Sequence, residues 1–109
     1  MFKILIVEDD TELCQLFSHV LEKNGYHTRM VSNGQEALDA LAEEYVDLII
    51  SDIMMPVMDG FEVLASMNRS HMLENLPVIM ISSEDSDAFI RRAYEQGVSD
   101  YISRPFDAK

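Results

Sequence analysis

Short apolar runs alternate along this chain with segments of helical period, and that alternation narrows the possible folds sharply. Residues 2–7, 46–51 and 77–81 are apolar almost throughout, while residues 26–31 and 101–102 form two weaker runs. A strand covered on both faces reads as a continuous apolar run; one with a wet face alternates. Between the runs, apolar residues recur at helix spacing. Leu13, Leu16, Phe17, Val20 and Leu21 form one stripe, Ala37, Leu38 and Leu41 a second. Phe61, Leu64 and Met67 form a third, and Phe89, Ile90, Ala93 and Tyr94 a fourth. Strand and helix in strict alternation predict an α/β fold with a parallel sheet. The weakly apolar run at 26–31 belongs near an edge, and the run at 46–51 near the centre.

Local signals mark the joints. Asn24-Gly25 and Gly97 stop the first and fourth helices. Asn33 and Asp59 are N-caps, each with a glutamate three residues on, Glu36 and Glu62. In the acidic run Glu84-Asp85-Ser86-Asp87, Asp85 or Ser86 caps the fourth helix. Cys14 lies one place off the first stripe and reads as a packing residue. His19, His27 and His71 are scattered and read as surface residues. The tally is five strands and four helices, with no fifth helix after the last strand. Parallel sheets are covered on both faces, so part of one face is expected to be bare, which favours a homodimer or domain-exchanged oligomer.

Composition excludes several functions. The chain has 109 residues, the length of one domain. Acidic residues outnumber basic ones 20 to 8, a formal charge of −12. Nucleic-acid binding needs a basic surface that releases counterions, so no nucleic-acid face is expected. An anionic membrane surface is disfavoured for the same reason. One cysteine leaves no internal disulfide and no multi-cysteine zinc site. No apolar run reaches the roughly 18 residues of a membrane span. Met1-Phe2-Lys3-Ile4 runs straight into the first apolar segment without a cleavage pattern, so a cytoplasmic location is expected.

Open α/β sheets bind ligands at the carboxyl ends of their strands. The first strand delivers Glu8, Asp9 and Asp10 there; the third delivers Asp52, the fourth Ser82 and Ser83, and the fifth Arg104. Singly, each has an ordinary explanation as a cap, a turn residue or a solvated charge. Facing one crevice, they combine carboxylates, a hydroxyl and a cation. Close carboxylates repel unless a cation neutralises them. Oxygen donors without His or Cys suit a hard ion, Mg²⁺ over Zn²⁺. A carboxylate beside it could attack phosphorus and carry an aspartyl phosphate.

Four segments carry a family resemblance. They are Ile4-Leu5-Ile6-Val7-Glu8-Asp9-Asp10, then Asp52-Ile53-Met54-Met55-Pro56-Val57-Met58-Asp59-Gly60, then Ser82, then Asp100-Tyr101-Ile102-Ser103-Arg104-Pro105-Phe106. In this order, over nearly the whole chain, they resemble the receiver domain of two-component response regulators. The resemblance implies a flavodoxin-like doubly wound sheet of strand order 2-1-3-4-5, an order for which the chemotaxis receiver is a standard instance. It implies a single receiver domain over residues 1–109, ending after strand five where the family continues into a fifth helix.

It also implies roles. Asp52 is the phosphoacceptor for a histidine kinase or phosphotransfer protein. Glu8, Asp9, Asp52 and the backbone carbonyl of Met54 hold Mg²⁺. Ser82 is the switch hydroxyl and Tyr101 the switch aromatic. Met54 and Glu84 stand where the family tunes phosphoryl lifetime, and the bond before Pro105 is expected to be cis. An output domain normally follows at the C-terminus. One departure stands out: Arg104 occupies the place of the family's phosphate-contacting lysine. Arginine keeps the charge but is planar and forked.

The expected function is therefore a phosphorylation-controlled switch, not a turnover enzyme, although it assists its own phosphotransfer and dephosphorylation. The main alternative is a receiver-like interaction module free of phosphorylation control, for which Arg104 is the best argument. An aspartyl-phosphate hydrolase of haloacid dehalogenase type would want Asp at position 54, which is Met. A flavin carrier of this topology would not place Glu8-Asp9-Asp10 where a phosphate must sit.

Overall fold

The computed structural model describes residues 2–52, 58–69, 76–82 and 87–103. In chain order the elements are β1 (Lys3–Val7), α1 (Thr11–Lys23), β2 (His27–Val31), α2 (Gly34–Glu43), β3 (Leu48–Asp52), α3 (Gly60–Arg69), β4 (Val78–Ser82), α4 (Asp87–Glu95) and β5 (Asp100–Ser103). The strands form one parallel sheet of order β2-β1-β3-β4-β5. This is the doubly wound order, with the weakly apolar β2 at an edge and β3 at the centre. Strand limits fall within two residues of the apolar runs, as hydrogen-bonded limits ordinarily do. Phe2 lies just outside β1, exposed, with its ring edge-on to Tyr26 at 5.5 Å.

Side chains alternate across a strand, and here they divide the core in two. Leu5, Val7, Ile49, Val78 and Met80 pack with Ala37 and Ala40 of α2, Phe61, Leu64 and Met67 of α3, and Ala93 of α4. Ile4 and Ile6 face the other way, with Cys14, Phe17 and Leu21 of α1. Among the described residues, one helix therefore covers one face and three cover the other.

The first helix sits differently from its expected stripe. Its inward residues are Cys14 and Ser18, flanked by half-buried Leu13, Phe17 and Leu21; Leu16 and Val20 are 56% and 49% exposed. The cause is a satisfied polar contact. Ser18 Oγ lies 2.6 Å from Thr28 Oγ1, and the Thr28 hydroxyl donates to Glu22. A hydroxyl with a partner can be buried at little cost, so the helix turns Cys14 and Ser18 inward and Leu16 and Val20 outward.

The expected caps are in place. Asp10 accepts from Leu13 N–H at the start of α1. Asn33 accepts from Glu36 N–H, and the Glu36 carboxylate accepts the Ser32 N–H and hydroxyl. Asp59 and Glu62 exchange backbone-to-side-chain bonds, a capping box. Gly25 and Gly97 have φ of 92° and 103°, the left-handed turn that stops α1 and α4. The proposed cap of α4 at Asp85 or Ser86 lies outside the described residues.

Helix α4 is the lightest bound. Ala93 is its one fully buried residue. Tyr94, expected on the inner face, is 46% exposed, because its hydroxyl reaches Asp100 at 3.1 Å. Much of the attachment is to α3: Phe89 lies 5.3 Å from Phe61, the Arg92 guanidinium stands 4.0 Å over the Phe61 ring, and Asn68 donates to the Gln96 carbonyl.

Candidate functional site

Parallel pairing brings all strand ends to one rim. Val7 is the register partner of Ser51, so the next residues of the two strands, Glu8 and Asp52, meet at the point where the chain winds away in opposite directions. This is the crevice where doubly wound sheets bind their ligands. One carboxylate oxygen from each of Glu8, Asp9 and Asp52 lies within 4.8 Å of the others. Glu8 and Asp52 are 3% and 8% exposed, whereas Asp9 is open to solvent.

Local bonds hold this arrangement. Glu8 N–H donates to the Val31 carbonyl, continuing the β1–β2 ladder, and Glu8 Oε2 accepts from Asp10 N–H at 3.2 Å. Asp52 is the last residue of β3, paired with Ile81, and Ser51 Oγ donates to its carbonyl at 2.8 Å. Ser82 follows Ile81 and is 1% exposed at the end of β4. Tyr101 in β5 is half-buried, paired with Met80 and packed against the three-helix core.

The structure thus gathers Glu8, Asp9 and Asp52 and sets Ser82 on the neighbouring strand end. Asp10 is kept apart as the cap of α1. Met54, Ser83, Glu84, Arg104 and Pro105 lie outside the described residues. Three oxygen donors, with neither nitrogen nor sulfur among them, fit a hard divalent ion such as Mg²⁺.

Cys14 lies behind the site. Burial first, then the negative charge of Glu8, pushes its thiol up from 9.0 to about 11. It remains a protonated packing group, unsuited to nucleophilic chemistry. An open hollow of about 220 Å³ flanks Glu8 on the β2 side, edged by Thr11, Gln15 and Met30. Glu8 is the residue it shares with the acidic cluster; Asp9, Asp52 and Ser82 do not line it.

Gly34 escaped the sequence reading, although it stands between the cap residues Asn33 and Glu36. Its N–H donates to the Met58 carbonyl at 3.1 Å, joining the start of α2 to the residues just before α3. A glycine inside a capping sequence was the available signal.

A doubly wound sheet with a carboxylate cluster at its switch point and a buried hydroxyl on the next strand defines a class of α/β domain with an acidic crevice that could hold a metal ion. The family model for the response regulator receiver domain matches residues 4–109, and the chain belongs to that family. Receiver domains are regulatory switches, not turnover enzymes. The chain is 38% identical over 109 residues to the heme response regulator HssR of Staphylococcus epidermidis, covering 100% of this chain and 47% of that protein. It is 36% identical over 107 residues to the transcriptional regulatory protein CpxR of Escherichia coli, covering 98% and 44%. The chain thus spans about half the length of the curated relatives it matches.

Among solved structures, the receiver domain of a Francisella response regulator superposes with a TM-score of 0.92 at 32% identity, covering 98% of this chain and 87% of that one. The chemotaxis response regulator CheY4 of Vibrio cholerae gives 0.90 at 32%, covering 98% and 89%. No helix among the described residues is long and apolar enough to cross a membrane.

Proposed function

We propose that this domain is a phosphorylation-controlled switch in which Asp52 accepts a phosphoryl group from a histidine kinase or phosphotransfer protein. The observation that carries this reading is the convergence of Glu8, Asp9 and Asp52 within 4.8 Å. In the reaction an Asp52 carboxylate oxygen bonds to phosphorus as the phosphorus–nitrogen bond of the phosphohistidine breaks. The imidazole leaves with that electron pair. Glu8, Asp9, Asp52 and the Met54 carbonyl would hold Mg²⁺, which neutralises carboxylate charge and stabilises the transferring phosphoryl oxygens.

The chain's own groups do the positioning. The Ser82 hydroxyl donates to a phosphoryl oxygen once the group is in place. Arg104 supplies the positive contact that lysine gives in related receivers. Tyr101 then moves inward, carrying the change to the face formed by α4 and β5 and shifting a two-state equilibrium. The domain acts as one unit, in the cytoplasm, with an output domain joined beyond it in the full-length protein. The exposed apolar residues of the α1 side favour a homodimer or domain-exchanged oligomer.

The test is incubation with Mg²⁺ and acetyl phosphate, followed by intact-mass measurement. One phosphoryl group is expected on the wild type and none on Asp52→Asn. A wild type that stays unmodified would leave the phosphorylation-independent module, with Arg104 as its mark, as the better reading. A gain that persists in Asp52→Asn would remove Asp52 as acceptor.

A further inference from the structure

We propose that Gly34, the first residue of α2, is a positioning residue for the phosphoacceptor site, because it lets α2 grip Met58 and so hold the chain that runs on from Asp52. This rests on the phosphotransfer reading above. Gly34 is buried, and its N–H donates to the Met58 carbonyl at 3.1 Å. A Cβ at position 34 would stand 2.5 Å from that same oxygen, 2.6 Å from Val63 Cγ2 and 2.8 Å from Met58 Cγ. The closest of these is a backbone atom, which no side-chain rotation can clear. Any other residue must push Met58 away or break the hydrogen bond. Here glycine serves close backbone approach.

Both sides of the grip are stiff. Behind Gly34, Asn33 caps α2 and the Glu36 carboxylate clamps Ser32 through two bonds of 2.8 and 2.9 Å. Beyond Met58, Asp59 and Glu62 close the start of α3, and Val63 is buried against the same corner. At the other end Asp52 is fixed in the sheet by its pairing with Ile81. Only residues 53–57 separate Asp52 from Met58. Met54, the carbonyl donor of the proposed metal site, is one of those five, so a displacement of Met58 is passed toward that site along a short covalent connection. The α2 N-terminus therefore acts on the metal site without touching it.

The test compares Gly34→Ala with Ala40→Gly, a buried change in the same helix that weakens α2 without crowding Met58. Mg²⁺ is titrated by calorimetry and phosphoryl gain from acetyl phosphate is followed by mass, both well below the unfolding temperature. Gly34→Ala is expected to bind Mg²⁺ about tenfold more weakly, as loss of a supporting contact does at metal sites, and to gain phosphoryl more slowly. Ala40→Gly should lower the unfolding temperature and leave both properties intact. Adding Val63→Ala to Gly34→Ala should restore part of the loss.

Should Gly34→Ala fail to fold, Glu36→Ala decides. It loosens the exposed clamp on Ser32 and should weaken Mg²⁺ binding in the same direction by less. Wild-type Mg²⁺ affinity in folded Gly34→Ala, or in Glu36→Ala where the first does not fold, overturns the positioning role; so does an equal loss in Ala40→Gly. A wild type that takes up neither Mg²⁺ nor phosphoryl removes the phosphotransfer reading itself, and the positioning role with it.

Discussion

Cys14 and Ser18 take the buried places on α1 that their types would leave to leucine, and each has a physical reason. Ser18 has Thr28 as a hydrogen-bond partner, and Cys14 is a compact group that packs against Ile4 and Ile6. Cys14 was legible as a packing residue beside the stripe; Ser18 was not, since an apolar stripe counts hydrophobes and cannot see a partner on a neighbouring strand. Burial of Cys14 has a measurable consequence. Its thiol titrates near 11 in the folded chain, against an ordinary 9.0. Above pH 9 the unfolded chain loses this proton first, so folding stability should fall as pH rises from about 9 to 11 and be unaffected below that window. Two pH units correspond to an upper limit of about 3 kcal/mol. Denaturant titrations across that range should show a shallower decline in Cys14→Ala than in the wild type. Equal slopes would mean that the thiol does not titrate in this way.

Helices were the most legible elements because their ends are written in capping residues. Asp10, Asn33 and Asp59 begin helices in the structure as their side chains require. Strand ends were less legible, since an apolar run such as 46–51 does not say which residue makes its first ladder bond. Helix α4 shows a further limit. Its apolar period runs on to Tyr94, yet Asp100 draws that ring outward, and an inter-helix contact supplies what the helix lacks in buried surface. Amide hydrogen exchange should accordingly be faster in α4 than in α2 or α3. Arg92→Ala removes the cation over Phe61, a contact worth roughly 0.5–1 kcal/mol at an exposed site. It should speed α4 exchange by several-fold while leaving α2 unchanged, and Arg92→Lys should recover part of the protection. Unchanged α4 exchange in Arg92→Ala would show that the helix is held without this contact.

The whole sheet was legible at two levels. Alternating runs require a parallel α/β architecture, but strand order came only with the motif resemblance, because apolar runs carry no address for their neighbours. The acidic cluster was legible for a geometric reason: parallel strands end together, so residues after strands meet. What stayed hidden was the support from α2, since Gly34 and Met58 lie far apart in sequence and touch through backbone. On the α1 side, Leu16, Val20 and Ile102 remain exposed. Light scattering over a concentration series should therefore give a mass that rises with protein concentration; a constant monomer mass would count against association. The Val7–Ser51 register has a consequence of its own. Glu8 and Asp52 meet only while the two strands stay in phase, and a strand has a two-residue repeat. One residue inserted within β1 would turn Glu8 to the opposite face, whereas one inserted in the turn between α1 and β2 leaves the phase untouched. In this fold the acidic cluster is a matter of reading frame between strands, and natural length variation should avoid β1 and β3 while being free at the joints between elements.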